Sequence, residues 1–600
     1  MSGASAKTGE RPGATMTDVR DSRPVCLVRP PAVETFRFSS LSITPPLGLA
    51  YVAGAIERAG HRVDVVDAVV GAPERHTRYF RGYLVGLGFD EIAARIPADS
   101  KVVGITALFT HEWPAIVQLI EHIKRRLPDT LVIVGGEHVT SMPELCLLTS
   151  KADYVVLGEG EETIVELLEA LDSGMPHAEM LGIGYRDGDG VVINARRERT
   201  RAIDDIARPA WHLIDLDTYH EHRWMGGMWS HNKSVPILAT RGCPYQCTYC
   251  SAPNMWTPRW IPRDPKLVVD EIQHYYDEFG ARNFPFQDLT AIIQRQWIID
   301  FCTELLARGL DITWQMPTGT RSEAIDDEVA QLLKRTGMIS MAYAPESGSE
   351  ETRKLIKKKM KTDRMLESMR AAVAADLNVM VFMVIGFPHD KVEHIRENLD
   401  FFSTIAEIGI NDAAVGFYMA LPGTQIFESL YDSGQINLDR TYFRHILSST
   451  SLWATSTYSG LGRAMFALSS EAEASLERPL FELVKIRASQ LNGCAYCIDM
   501  HTKDARLAGE TEQRIYALNA WRETPFFTDR ERAALEWTEA VTRVGDTHVP
   551  DEIHQRVAAQ FGEGELVALT MGVIVINAWN RLAVSFRAPA GTYQPKRAVA

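Results

Sequence analysis

The stretch SVPILATRGCPYQCTYC, residues 234–250, decides how the chain is read. Its first half, SVPILATRG (234–242), is apolar and β-prone and reads as a strand. Three cysteines follow at once, Cys243, Cys247 and Cys250, at spacings of four and three residues. Thiols so placed can wrap one face of a small metal cluster and leave one position without a protein ligand. A structural zinc is the competing reading, but it wants four protein ligands, and no fourth Cys or His lies nearby at finger-like spacing. An iron–sulfur cluster with one open iron fits the donor set better.

Outward from this motif the chain continues as strand–helix units. Strands are expected at 281–287, 311–316, 338–346, 379–388 and 413–422, with helical patterns between them. Six such units predict an open, partial TIM-type α/β barrel with its site at the carboxyl ends of the strands. Upstream, VCLVRPP (25–31), VDVVDA (63–68), VVGITALF (102–109), LVIVGGE (131–137) and YVVLGEG (154–160) alternate with helical stretches at 46–60 and 111–127. This βαβ series predicts a doubly wound, Rossmann-like parallel sheet, whose ligands bind beyond the carboxyl ends of its strands. From about residue 463 the pattern is all-helical, at 476–490, 494–509, 528–544 and 564–583, with start and stop signals at Thr528, Gly493 and Gly509. The organisation expected is a disordered tail (1–22), the sheet domain (23–175), a connector (176–230), the barrel core (231–445), a second connector (446–462) and the helical domain (463–590).

C-x3-C-x-aromatic-C at the end of a barrel strand resembles the radical S-adenosylmethionine (SAM) superfamily. The resemblance implies a [4Fe–4S] cluster on Cys243, Cys247 and Cys250, with SAM on the fourth iron and Tyr249 beside it. Electron transfer from the cluster then cleaves the sulfonium C–S bond and yields a 5′-deoxyadenosyl radical. Strand-end segments in matching order carry Gln287-Asp288, Pro345-Glu346-Ser347-Gly348-Ser349, Gly386-Phe387-Pro388 and Leu421-Pro422-Gly423-Thr424. Asp288, Glu346 and Ser347 are the SAM-binding candidates among them.

The amino-terminal sheet, with PPLGLAYVAGAIERAGHRVDVVD (45–67), resembles the cobalamin-binding domain of cobalamin-dependent radical SAM enzymes. Thr106-Ala-Leu108, Gly135-Gly136-Glu137 and Gly158-Glu159-Gly160 match the loops that line the corrin and its nucleotide tail. The competing reading is that these glycines only serve tight strand–helix turns. The Asp-x-His-x-x-Gly motif that gives cobalt a histidine elsewhere is absent, and Asp546-Thr-His548 lies in the wrong domain. His138 reads as a lining residue. Loss of that ligand is usual in this branch and leaves the axial contact unassigned. The implied reaction is radical methylation of a small molecule; cyclisation or rearrangement without net methyl transfer is the alternative, as is a sheet domain that binds substrate without cobalamin.

The segment Glu482–His501 resembles the AhpD-like alkylhydroperoxidase and carboxymuconolactone decarboxylase family, and the match runs through Asn577-Ala-Trp-Asn580-Arg581. Cys494, Cys497 and His501 fall at i, i+3 and i+7 of one helix face. A CxxC at a helix N-terminus has its thiolate stabilised by unpaired N–H groups. By the resemblance Cys497 attacks a peroxide, Cys494 resolves the sulfenic acid to a disulfide, and Glu482 with His501 shuttles the proton. Tyr496 stands where the family has a second histidine, which puts full peroxidase efficiency in question. The family implies homo-oligomers.

The composition excludes other classes. Of 600 residues, 46% are hydrophobic and 24% charged, which is globular, and 150 residues per domain gives three to five domains. A net charge of −15 and a pI near 5.6 disfavour nucleic acid as a partner. The tail carries no secretory signal, and the apolar run Leu566–Ile576 is too short to span a bilayer. A cytoplasmic protein without membrane contact is expected. Its partners are a small-molecule substrate, an electron donor such as flavodoxin or ferredoxin, and a thiol reductant for the CxxC. Cys26, Cys146 and Cys302 read as buried small hydrophobes. A fused thiol unit would remove peroxides beside an oxygen-sensitive cluster; the rival reading makes the thiol unit the working antioxidant and the radical half a scaffold.

Overall fold

Valine and isoleucine runs build the first sheet, because strands covered by helices on both faces must be apolar on both. In the computed structural model, which describes residues 23–438 and 475–585 except 36–42, 81 and 321–323, plus isolated positions in 442–473 and 588–595, those runs are β1 (Val25–Arg29), β2 (Val63–Asp67), β3 (Val102–Thr106), β4 (Leu131–Gly135) and β5 (Tyr154–Val156). All five are parallel, in the order β2-β1-β3-β4-β5. Strand order reverses between β1 and β3, the point where doubly wound sheets open a crevice for a ligand. Residues 1–22, the expected connector 446–462 and the start of the helical unit lie outside the described residues.

Two elements depart from the expected connector at 176–230. Its residues Ile183–Asp187 (β6) and Gly190–Ile193 (β7) form an antiparallel hairpin that extends the first sheet beyond β5. A separate three-stranded antiparallel sheet, Ala32–Thr35, Gly82–Val85 and His76–Tyr79, stands beside it.

The second sheet is wholly parallel: β8 (Asn283–Pro285), β9 (Thr313–Thr320), β10 (Met338–Glu346), β11 (Asn378–Ile385) and β12 (Asp412–Phe417), adjacent in chain order. The strand expected at 234–242 is not continuous. Ser234 and Ile237 make isolated parallel bridges to Asn283 and Phe286, and Thr240–Arg241 pairs instead with Ile261–Pro262. Pro236 and Pro285 lack the N–H that a full ladder needs. Val235, Ile237 and Gln287 donate across the pair, and Arg282 and Asn283 both donate to the Lys233 carbonyl at its start. The result is a six-element open barrel whose first member is joined by isolated bridges instead of a continuous ladder.

In the helical unit, Arg478–Leu491, Asp529–Thr542 and Glu563–Ser585 pack around Phe481, Val484, Trp537, Leu569 and Val573. Thr528 caps its helix in a reciprocal box with Glu531, and Gly493 and Gly509 adopt positive φ, as the start and stop signals require. The helix from Glu563 is longer than the apolar run within it suggested. By length and composition its span Glu563–Val584 could cross a membrane, yet Leu569, Val573 and Ile576 are buried in the bundle.

Candidate functional site

The three barrel cysteines sit on the loop that follows Thr240–Arg241, each partly accessible. Asp288 fixes the root of this loop. It is buried, and its carboxylate accepts from the N–H groups of Ala239 (3.2 Å) and Thr240 (2.5 Å) and from the Thr240 hydroxyl (2.7 Å). Burial pushes Asp288 up to about 6 against the pull of those hydrogen bonds. The far side of the loop rests on the turn after β10, where the Cys247 Sγ lies 3.8 Å from the Lys357 carbonyl oxygen. Among the described residues no three His, Cys, Asp or Glu side chains are arranged round a single metal ion. A structural zinc needs that convergence; a [4Fe–4S] cube needs only that each thiol reach its own iron, and three thiols without a fourth leave one iron open.

At the end of β10, Glu346 takes a left-handed backbone, φ 65°, a conformation that costs a non-glycine residue about 1–3 kcal/mol. The strain turns its carboxylate into the barrel mouth, where Lys358 pairs with it at 2.9 Å and reaches the Tyr249 hydroxyl at 3.4 Å. Tyr249 is edge-on to Phe387, from the β11 end, at 5.6 Å. Burial and the Glu346 charge hold its phenol well above the ordinary range. Ser347 donates to the Asn398 carbonyl oxygen (2.9 Å), which also accepts from the Gly348 N–H (2.6 Å). Asp390 accepts from the N–H groups of Gly386 and Phe387, both at 2.9 Å. The expected residues from three strand ends thus share one mouth with the cysteine loop.

The carboxyl edge of the first sheet meets this mouth. Gly136 has φ 126°, and a Cβ there would stand 2.6 Å from the Ala107 carbonyl oxygen, so only glycine lets the β4 turn lie against the loop after β3. Thr106 ends β3, and Leu108 and Phe109 beyond it are 47% and 41% exposed, an apolar ledge beside the flat surface of Gly135 and Gly158. Glu137 opens the short helix Glu137–Ser141, which packs on Ala252–Trp256 just after the cysteine loop. Burial raises Glu137, and a hydrogen bond with Ser251, the residue after Cys250, opposes that rise. His138 is buried with Nδ1 3.2 Å from the Thr110 hydroxyl, and burial depresses it to about 3.

One link between the sheets is ionic. Arg241, buried between the rings of Tyr51 and Trp256, donates to Glu159 (3.1 Å) and Glu161 (2.6 Å), and Arg199 adds a second cation on Glu159 (3.2 Å). Burial works against the Arg241 charge; the two carboxylates outweigh it and hold its pKa above the ordinary value. Glu159, expected as a cofactor contact, is therefore engaged by two arginines within the chain.

In the helical unit Cys494 and Cys497 form a disulfide, and Cys494 Sγ, at the N-cap, accepts from the Cys497 N–H at 3.3 Å. His501 Nδ1 is 3.3 Å from Glu482 Oε2, and Lys485 donates to Oε1 at 2.7 Å. Burial opposes the Glu482 charge, but His501 and Lys485 prevail and hold its carboxyl below the usual range. Asn492 donates to Asn577 (2.6 Å) and Asn580 (2.9 Å), tying the turn before the cysteines to the last helix. Sequence reasoning gave no role to Lys485, Lys358, Asn398 or Ser251. Only Lys485 left a signal, its i,i+3 spacing from Glu482 on a helix.

A two-sheet architecture with strand-end loops facing a three-thiol loop, joined to a CxxC helical bundle, defines the class: the chain joins a B12-binding domain and a radical SAM domain to an AhpD-like unit. Three family models match, the B12 binding domain over residues 35–168, the radical SAM superfamily over 237–402 and the carboxymuconolactone decarboxylase family over 457–540. Cytidylyl-2-hydroxyethylphosphonate methyltransferase of Streptomyces wedmorensis is 27% identical, over 73% of this chain and 88% of its own. The uncharacterized protein YdfG of Bacillus subtilis is 50% identical over 113 residues, 19% of this chain and 77% of its own. In fold, the chain is similar to OxsB, a cobalamin-dependent SAM radical enzyme solved with aqua-cobalamin and SAM, at TM-score 0.57 and 14% identity, covering 96% of this chain and 82% of that one.

Proposed function

We propose that the chain is a soluble, cytoplasmic, cobalamin-dependent radical SAM methyltransferase acting on a small molecule, with an AhpD-like thiol unit attached. The single observation that carries this reading is the contact of the two loop sets: Glu137 with Ser251, and Arg241 with Glu159 and Glu161. It supports reading Thr106, Leu108, Gly135, Gly136 and Gly158 as a ledge for a flat macrocycle beside the loop that would hold an iron–sulfur cluster. When bound, the cluster and SAM supply a carbon-centred radical and cobalamin supplies the methyl group. The chain's own part is to hold and exclude water. Cys243, Cys247 and Cys250 would ligate the cluster, and Asp288 keeps their loop in place through Ala239 and Thr240. Glu346, paired with Lys358, and Ser347, oriented by Asn398, would bind the amino and hydroxyl groups of SAM, with Tyr249 closing the mouth.

The radical chemistry needs a one-electron donor. In the helical unit, Glu482 and His501 are placed to take the proton as Cys497 attacks a peroxide and Cys494 then displaces hydroxide to close the disulfide; a dithiol reductant reopens it. Oligomers through this unit are part of the same reading.

The test is anaerobic turnover with SAM labelled in its methyl group. 5′-Deoxyadenosine and S-adenosylhomocysteine together, with label in a product, support methyl transfer. 5′-Deoxyadenosine alone overturns it in favour of cyclisation or rearrangement. Absence of both nucleosides from chain loaded with iron and sulfide overturns the radical reading.

A further inference from the structure

In a chain with 15 more acidic than basic charges, residues 353–361 place six cations in nine positions, Arg353-Lys354-Leu-Ile-Lys357-Lys358-Lys359-Met-Lys361. A charge run of this kind is usually a solvated face, and its placement decides whether it is more. It runs from the last turn of helix Glu350–Leu355 through the connection to helix Thr362–Ala374, shortly after β10, and borders a surface depression of about 980 Å³.

The cations divide by direction. Arg353 is buried and donates to the Ser347 carbonyl and the Thr362 hydroxyl, and Lys358 is spent on Glu346. These two serve the site interior. Lys354, Lys359 and Lys361 are exposed. Between them the Lys357 carbonyl touches the Cys247 thiol, and the Lys357 ammonium donates to Gln425 at 2.8 Å. The acidic side chains on the same rim are largely matched already: Glu350 lies 3.7 Å from Arg353, Glu351 pairs with Lys391, and Glu367 lies 3.6 Å from Arg364, leaving Asp363. One short turn therefore touches a cluster thiol with its backbone and offers a net positive surface to solvent.

We infer that this turn is the docking surface for the electron donor, a small acidic one-electron carrier protein, which delivers its electron through the Cys247 side. The inference rests on the radical SAM reading. The step balances simply: the carrier loses one electron, the cluster gains one, and no bond or proton moves. Lysines on a strongly acidic protein would steer such a carrier to this face and keep it from the rest of the surface, where like charge repels it.

The test compares the full, cluster-loaded chain with the triple variant Lys354→Glu, Lys359→Glu, Lys361→Glu, which leaves Arg353, Lys357 and Lys358 intact. Binding of flavodoxin, the acidic probe, is measured by calorimetry at low and high salt, alongside the rate at which reduced flavodoxin is oxidised. The expected result is flavodoxin binding at least about tenfold weaker in the variant at low salt, with wild-type affinity falling as salt rises. 5′-Deoxyadenosine formation driven by titanium(III) citrate, which needs no docking, stays at the wild-type level. Flavodoxin binding unchanged by the substitutions overturns the docking surface. Failure of both proteins to form 5′-deoxyadenosine with the chemical reductant, while flavodoxin binding still separates them, overturns the radical reading and leaves the surface standing.

Discussion

Removing the Arg241 side chain tests whether the two cofactor loops are one mechanical unit. In Arg241→Ala, Glu161 loses its 2.6 Å partner and Glu159 keeps only Arg199, and both carboxylates stay in a junction where their side chains are 12% and 10% exposed. Breaking a buried pair by deleting one partner costs about 3–5 kcal/mol, mostly the uncompensated charge left behind. The cost appears at the junction first, since 600 residues in several units do not unfold in one step. Local opening of the Gly158–Glu161 turn and of the Thr240–Cys250 loop rises together by a factor of about 10² to 5 × 10³. Amide hydrogen exchange read by mass spectrometry reports both segments in one experiment. A double variant, Arg241→Met with Glu161→Gln, recovers most of the protection, because it removes the stranded charge as well as the pair. Wild-type exchange in either loop of Arg241→Ala would refute the reasoning, since it would mean that the loops are held independently.

Four other outcomes follow from the same structure. Gly136→Ala forces a side chain into left-handed backbone and against the Ala107 carbonyl; a cost of roughly 2–3 kcal/mol is expected in the β4 turn, read as weaker aquocobalamin binding by absorbance titration, and unchanged affinity counts against this ledge. Asp288 titrates near 6 when folded and near 3.8 unfolded, so the folded chain holds a proton the unfolded chain has lost; stability measured in urea against Asp288→Asn falls by roughly 3 kcal/mol as pH rises through that window, and a flat difference refutes it. Glu482→Gln strands Lys485 and frees His501: the helical unit loses about 3 kcal/mol in thermal melts, and peroxide consumption drops about 10²-fold, whereas wild-type consumption removes Glu482 from the proton path. Replacing both Cys494 and Cys497 by serine leaves anaerobic turnover intact and hastens inactivation in trace oxygen; equal inactivation rates defeat the protective role of the fused unit.

What could be read in advance follows from the range of the interactions involved. The strands of the first sheet were legible because valine and isoleucine runs bounded by glycine and proline are local signals, those of the second from short apolar and aromatic runs between helical patterns, and the CxxC capping geometry because four consecutive residues determine it. The hairpin Ile183–Ile193 had a local signal too, Asp187-Gly188-Asp189-Gly190 between alternating apolar residues, masked by the polarity around it. The break in the first barrel strand followed from Pro236, a residue that an apolar stretch makes easy to pass over.

The junction had no such signal. Arg241 stands 82 residues from Glu159 and 80 from Glu161 along the chain, and nothing near either partner marks it as paired. Residues that ligate or react announce themselves by type and spacing, because chemistry restricts which side chains serve and how close they stand. Residues that set one ligand against another are ordinary charged and small side chains, chosen by a tertiary geometry that appears only when two sheets meet. In this chain the cofactor set is accordingly written in motifs, and its relative placement in one arginine, two glutamates and a glutamate–serine contact. Substitution at Arg241 therefore tests that placement without removing a cluster cysteine.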